Sequence, residues 1–470
     1  MRLLLSLILA LTEDEAARVS ALRLKGKQNA VMQLLLASRL SGTEPTPEQL
    51  AQLHVSDTHL YEISSVLLAK ALVLLAPKGG IAILEFIAYK NLNLHFKAEL
   101  RKQRKVWDGK KGKEAEEFFL AAFELLQKLS YNLIEQDLLV ELGDAYLSAK
   151  KNASKEDTLA IETRKLGVRM TGIIADGKNF GTEQDEVFSR LRELEASARN
   201  SSNVYFCFSV YSALAWYWNN LGSKPDHFLR YLQRAIPYSE KLDGFVFRYL
   251  AEEMKLRLAD AHFILGGAQE ALDIFDRVYS SARLDHIIWK RNYYLFRYIE
   301  IMIYNGRYAQ AENLLKKHFE PLLALRPTTT SATAATQFAM LYLFTDNYPK
   351  AIHYLEIGMK LNVKTNFTLY NEVRNRLVES VYYYLIGDWT HVTNLTARAM
   401  QYLYGHRIGL NKHIFGYNFK IIEASVANFS NGKPFSAKLE AKYKELTLAK
   451  EGLFGLLLKK VRQSPKKVSK

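Results

Sequence analysis

Cysteine is almost absent from this chain of 470 residues: Cys207 stands alone, which excludes an intramolecular disulfide and any cysteine-rich zinc cluster. No catalytic motif surrounds it, and its neighbours Tyr205, Phe206 and Phe208 make it a buried thiol. Proline is scarce as well, with ten residues, so long helices are permitted nearly everywhere. Uninterrupted apolar runs of about eighteen residues are missing, so no membrane span is expected. The N-terminal stretch MRLLLSLILALTEDEAARVSA has the outline of an export signal. Glu13, Asp14 and Glu15 break it with charge, and Thr12 with Glu15 forms a capping box that starts a helix, so a cytoplasmic protein is expected.

Catalytic signatures are missing too. Eleven histidines form no HExxH or comparable pair; His406 and His413 lie seven apart with Gly405 and Gly409 nearby, and no metal site is expected. There is no nucleophile elbow and no dinucleotide fingerprint. GIIADGKN, residues 172–179, approaches a phosphate-binding loop, but it ends in Asn179 where a hydroxyl should hold magnesium, and a charged helical stretch precedes it instead of an apolar strand. A glycine-rich interhelical loop is the expectation there. These absences predict a protein that is not an enzyme and carries no cofactor.

What is present is charge, unevenly placed. The net charge is +15; residues 97–113 contribute +6 and residues 438–470 contribute +7, leaving the rest near neutral. A polyanion such as DNA or RNA would therefore be met at these two ends, by Arg101, Lys102, Arg104 and Lys105 with Trp107 as a stacking ring, and by Lys459, Lys460 and Arg462. No recognition-helix or RNA-binding motif accompanies them, and basic linkers and tails are commonly just solvated.

Apolar residues at helical spacing predict an all-α chain. The expected organisation is an N-terminal helical bundle over 1–100, a basic linker over 101–113 and helical hairpins over 114–204. Repeats of about forty residues over 205–435 and a C-terminal capping helix with a basic tail over 436–470 follow. The repeat shows when ILGGAQEALDIFDRV, IYNGRYAQAENLLKK, LFTDNYPKAIHYLEI and LIGDWTHVTNLTARA are aligned on Gly266, Gly306, Asp346 and Gly387, at intervals of 40, 40 and 41. Five residues later stand Ala271, Ala311, Ala351 and Val392; seven residues earlier stand Ala259, Ile299, Ala339 and Ser380. Tyr308, Tyr348 and Trp389 lie two after three of the turns, and a looser copy turns at Gly222. A glycine, or an Asp tolerating positive φ, ends a first helix; a small residue lets the second helix approach; the aromatic ring fills the corner. One hairpin cannot cover its own apolar face, so copies stack into an α-solenoid.

Over residues 205–405 this pattern resembles the tetratricopeptide repeat family, in which glycine, aromatic and alanine take the same relative offsets. The period here is longer than the family's, the proline that closes the second helix is mostly missing, and the last copy has Val392 in place of alanine. The resemblance implies a superhelix whose first helices line a concave groove, through the positions thirteen, ten, six, three and two before each turn. In one copy these are Tyr293, Phe296, Glu300, Ile303 and Tyr304; in the last they are Arg374, Leu377, Val381, Tyr384 and Leu385. The implied function is a scaffold that takes a protein or peptide partner in an aromatic groove led by Tyr293, Phe296, Tyr304 and Tyr384, with Glu300 and Arg374 setting polarity. Rings at this spacing also serve to pack neighbouring repeats. The Asp260 and Glu300 positions do not suit capture of a peptide's terminal carboxylate.

Overall fold

In the computed structural model, the described residues are all except 1, 42–43, 77–80, 90–92, 130–135, 177–181, 222–223, 244, 281–291, 325–328, 366–368, 406–410, 432–434, 447–451 and 463–470. Every regular element among them is an α-helix. They form two compact units, one running through Met254 and one from Lys255 onward.

The first unit holds α1 (Arg2–Leu9), α2 (Glu13–Ser20), α3 (Gly26–Ser41), α4 (Pro47–Ala51), α5 (Asp57–Leu75), α6 (Ile81–Tyr89) and α7 (Asn93–Trp107). It continues with α8 (Lys113–Leu129), α9 (Gln136–Ala149), α10 (Lys155–Asp176), α11 (Thr182–Ala198), α12 (Val204–Asn220) and α13 (Pro225–Ser239). The expected capping box is present: Thr12 Oγ1 accepts from the Glu15 amide at 3.3 Å while Glu15 Oε2 accepts from the Thr12 amide at 2.8 Å. Leu4, Leu5, Leu7 and Ile8 of α1 are buried, and α1 packs on α3 and α5. By length and composition α5 could cross a bilayer, the one such helix among the described residues. Its Ile63, Leu67, Leu68, Ala71 and Leu72 are buried, and it packs on α1, α2 and α3, which makes that face core. Gly172 to Asp176, the front of the phosphate-loop lookalike, is the last part of α10, so no strand leads into it.

The second unit is built from hairpins. α14 (Phe245–Ile264), within which the division falls, is followed by α15 (Ala268–Ser280), α16 (Asn292–Tyr304), α17 (Tyr308–His318) and the short α18 (Glu320–Ala324). Then come α19 (Thr329–Phe344), α20 (Tyr348–Thr365), α21 (Leu369–Ile386), α22 (Trp389–Gly405), α23 (Asn411–Asn431), α24 (Ala437–Leu446) and α25 (Gly452–Arg462). The four aligned residues sit at the four predicted corners with positive φ: Gly266 at 98°, Gly306 at 74°, Asp346 at 57° and Gly387 at 82°. Each corner closes with the same pair of backbone bonds. Arg307 N–H donates to Met302 O at 2.9 Å and Gly306 N–H to Ile303 O at 3.0 Å; Asp388 donates to Tyr383 at 2.9 Å and Gly387 to Tyr384 at 3.1 Å. This Schellman arrangement satisfies carbonyls that the helix end would otherwise leave open.

The residues five after and seven before each corner, small in six of the eight cases, lie in the interior. Ala271, Ala311, Ala351 and Val392 on the second helices, and Ala259, Ile299, Ala339 and Ser380 on the first, are all fully buried. Successive first helices stack, α16 on α19, α19 on α21 and α21 on α23, so the apolar face that one hairpin leaves open is covered by the next. The fold is an all-α, tetratricopeptide-like stack of antiparallel hairpins. Gly222, the corner of the looser copy, lies outside the described residues, while the helices on either side of it, α12 and α13, pack on each other.

Two segments differ from expectation. Residues 101–107 are not linker but the second half of α7, because Phe96 and Leu100 are buried one turn apart and carry the helix onward. The connection to α8 is confined to residues 108–112, where Gly109 and Gly112 take φ of 71° and 113°. The C-terminal helix does more than cap the last repeat: α25 packs against α16 and α21 as well as α23 and α24.

Candidate functional site

Within the second unit, the first helices α14 and α16 bring four polar side chains together. Arg297 Nε donates to Asp260 Oδ1 at 2.7 Å, and its Nη1 to Glu300 Oε2 at 2.9 Å. Tyr293 O–H donates to Asp260 Oδ2 at 3.0 Å. The geometry follows from helix period: Tyr293, Arg297 and Glu300 lie four and three residues apart on one face of α16, and Asp260 holds the equivalent place on α14 that Glu300 holds on α16. The Arg297 guanidinium also lies over Phe263, 4.9 Å from the ring centroid, and Phe263 meets Tyr304 edge-on at 5.1 Å.

Burial works against the Arg297 charge, yet Asp260 and Glu300 keep it firmly protonated. The Asp260 charge and burial of the hydroxyl together push the Tyr293 pKa well up, so it remains a donor. The Tyr293 residue as a whole is nevertheless 60% exposed. A pinned hydroxyl and an open ring make a rigid aromatic platform beside a hydrogen-bonded cluster of two carboxylates and one guanidinium.

The other expected groove residues divide. Phe296 stacks on Phe319 at 4.3 Å, and Tyr304 is half-buried against Phe263. Tyr384 is only 3% exposed and packs edge-on against Trp389 at 5.2 Å, which closes its own hairpin corner; burial pushes its pKa up to about 12. The side chain of Arg374 lies outside the described residues. Arg297 escaped the sequence reading because it occupies none of the five positions the resemblance assigns; its place three residues before Glu300 was the available signal.

The basic residues are partly spoken for. On α7, Arg104 is ion-paired with Glu141, Lys102 Nζ is 3.5 Å from Glu99 Oε1, and the Trp107 ring stacks on Phe118 at 5.5 Å with Lys110 over it at 4.8 Å. Arg101 and Lys105 lie on the exposed side of α7, and Lys459 is exposed on α25. Lys460 Nζ is 2.7 Å from Asp346 Oδ1, and Arg462 Nη1 is 2.7 Å from Glu440 Oε2.

Two further features are structural. In the first unit Glu124, fully buried, accepts from Arg164 Nε at 2.8 Å and from Tyr205 O–H at 2.7 Å, and Arg164 Nη1 reaches Ser212 Oγ at 3.4 Å. This network is enclosed and offers no access to a ligand. An open recess of about 500 Å³ lies between α23 and α24, lined among others by Tyr417, Lys420, Glu423 and Phe435. Among the described residues no group of three or more His, Cys, Asp or Glu is placed to hold a metal ion. His406 lies outside the described residues, as does the side chain of His413.

No family model matches the sequence, and no curated protein matches it. Solved structures do resemble it. A Rap protein complexed with competence and sporulation factor is similar over 76% of this chain and 98% of its own, at 11% identity and a TM-score of 0.49. The apo form of RapI is similar over 82% of this chain and 97% of its own, at 12% identity and a TM-score of 0.43. Likeness at this distance says nothing about what this chain binds.

Proposed function

We propose that this chain is a non-enzymatic helical-repeat scaffold that binds a protein or peptide segment on the first-helix face of its second unit, through Tyr293, Phe296, Glu300 and Tyr304 with Arg297 and Asp260. The observation that carries the reading is the exposed Tyr293 ring, fixed at its hydroxyl by Asp260. An aromatic side chain held in one rotamer loses little entropy when a partner packs on it, and such rings dominate binding energy at interfaces. Tyr384 contributes to the frame of the face and not to its contact surface.

The competing polyanion reading is supported by the net charge and by exposed Arg101 and Lys105. It is weakened by Lys460 and Arg462, whose charges are engaged within the fold.

The test places a photocrosslinking amino acid at position 293 and captures partners from native lysate at moderate salt, with and without nuclease. A nuclease-resistant protein adduct that Phe296→Ala weakens, with helicity unchanged, supports the reading. Capture that disappears with nuclease, or that Phe296→Ala leaves intact, overturns it.

A further inference from the structure

The most unusual placement in the second unit is that of α25. Its principal neighbours, apart from α24, are α16, α21 and α23, all first helices, and its Lys460 reaches the end of α19. An eleven-residue segment near the chain's end therefore lies along the same kind of surface that carries Tyr293. Where α25 packs on α21, the assigned inner-face positions Leu377, Val381, Tyr384 and Leu385 are all buried; on α16, Ile303 is buried while Tyr293 stays open.

The helix GLFGLLLKKVR presents one apolar face: Leu457, Leu458 and Val461 are buried, while Lys459 on the opposite side is exposed. Two cations then fix its register. Lys460 Nζ sits 2.7 Å from Asp346 Oδ1 and 3.5 Å from Phe344 O, at the carbonyl end of α19 where a positive charge is favoured. Arg462 pairs with Glu440 at 2.7 Å and lies over Phe435 at 4.4 Å.

Asp346 supplies an independent pointer. It is the only one of the four aligned corners that is not glycine, yet it takes the left-handed conformation, φ 57°. An aspartate tolerates this backbone and, unlike glycine, presents a carboxylate at the corner. Its carboxylate accepts from Tyr348 O–H at 2.9 Å and receives Lys460.

From this we infer that the surface formed by α16, α21, α23 and the α19 corner is a receptor for an amphipathic helix of the pattern Leu-Leu-x-Lys-Val, and that α25 is its resident occupant, exchanged for a partner helix of the same character. The inference rests on the scaffold reading above and names the partner's chemistry: a short helix with a leucine face and a lysine for Asp346. An isolated helix of about eleven residues is marginal in water, so α25 is helical because it is docked, and release costs it its order. Partner binding is thereby graded by competition with α25.

The experiment uses the full chain with a protease site introduced in residues 447–451, cut after folding. A fluorescein-labelled peptide of residues 452–462 is followed by anisotropy, together with hydrogen exchange of α21. The expected result is saturable uptake of the labelled peptide by the cut chain. The peptide carrying Lys460→Glu should bind roughly five- to tenfold more weakly, as expected for a partly exposed ion pair, and Asp346→Asn in the chain should narrow that difference, leaving only the part due to the carbonyl end of α19. A cut chain that retains its own helix against excess peptide, or whose hairpins unfold once cut, makes α25 a permanent part of the core and overturns the inference. Peptide exchange failing while the position 293 adduct persists removes the latch and leaves the scaffold reading. Exchange succeeding with no adduct at position 293 leaves the receptor and removes the Tyr293 site.

Discussion

Replacing glycine by alanine at four positions in turn gives opposite effects, and the sign at each follows from geometry. At Gly306 and Gly387 φ is 74° and 82°, and an added Cβ would meet nothing within 4 Å, so the cost is backbone strain alone. Left-handed backbone costs a residue with a Cβ roughly 1–2 kcal/mol, and the stiffer unfolded chain returns about 0.4–1 kcal/mol. A net loss of about 1 kcal/mol is expected at either corner. Gly358 lies inside α20, where a Cβ would sit 3.5 Å from that of Ala335, an ordinary contact. With helix propensity gained and no clash, Gly358→Ala should stabilise by about 0.5–1 kcal/mol. Gly143 lies inside α9, but its Cβ would come within 2.7 Å of Ile161 Cγ2 and 3.4 Å of Phe123 Cε2. Ile161 is buried and stiff about χ1, so strain of about 1–3 kcal/mol outweighs the helical gain of about 1 kcal/mol. Because the chain has two units, one melting temperature would blur these effects. Local opening energies from native-state hydrogen exchange, read on the helices flanking each site, resolve them. If Gly358→Ala and Gly306→Ala shifted opening in the same direction, the distinction between corner and interior glycines would be wrong.

Burial raises the Glu85 carboxyl to about 7, against the opposing pull of Arg248. The folded state therefore holds a proton that the unfolded state releases between the ordinary value of 4.5 and 7, and stability falls as pH rises through that window. Glu85→Gln should remove this slope, leaving the variant about 1–2 kcal/mol more stable than the parent at pH 8 after allowance for solvent screening, and no different at pH 4, as urea unfolding would show. Glu124→Ala deprives buried Arg164 of its bidentate partner and should cost the first unit about 3–5 kcal/mol; a loss under about 1 kcal/mol would mean water reaches that network.

The corners were legible because each is a local event: a positive-φ residue, a small residue five positions on and a ring between them all fall within eight residues. Trp389 and Tyr348 were found in this way. The Glu124–Arg164–Tyr205 network escaped because its members are separated by 40 and 81 residues, and nothing near Arg164 distinguishes a buried arginine from a solvated one. Likewise, Lys460 and Arg462 read as members of a basic tail, since the carboxylates that hold them stand at Asp346 and Glu440. The groove residues were assigned by offset alone, which separates a first-helix face from the opposite one but does not separate open Tyr293 from enclosed Tyr384. That difference depends on which neighbour covers each helix.

Cys207 is fully buried on α12, its thiol directed to the Ala198 and Ser201 carbonyls at 3.4 and 3.6 Å, and burial pushes its pKa up. A thiol that is both enclosed and protonated is a poor target for maleimides. The unaltered chain should thus be silent to such reagents. A single cysteine introduced elsewhere would carry a spin label or dye at one defined address, with no need to disturb the native residue first.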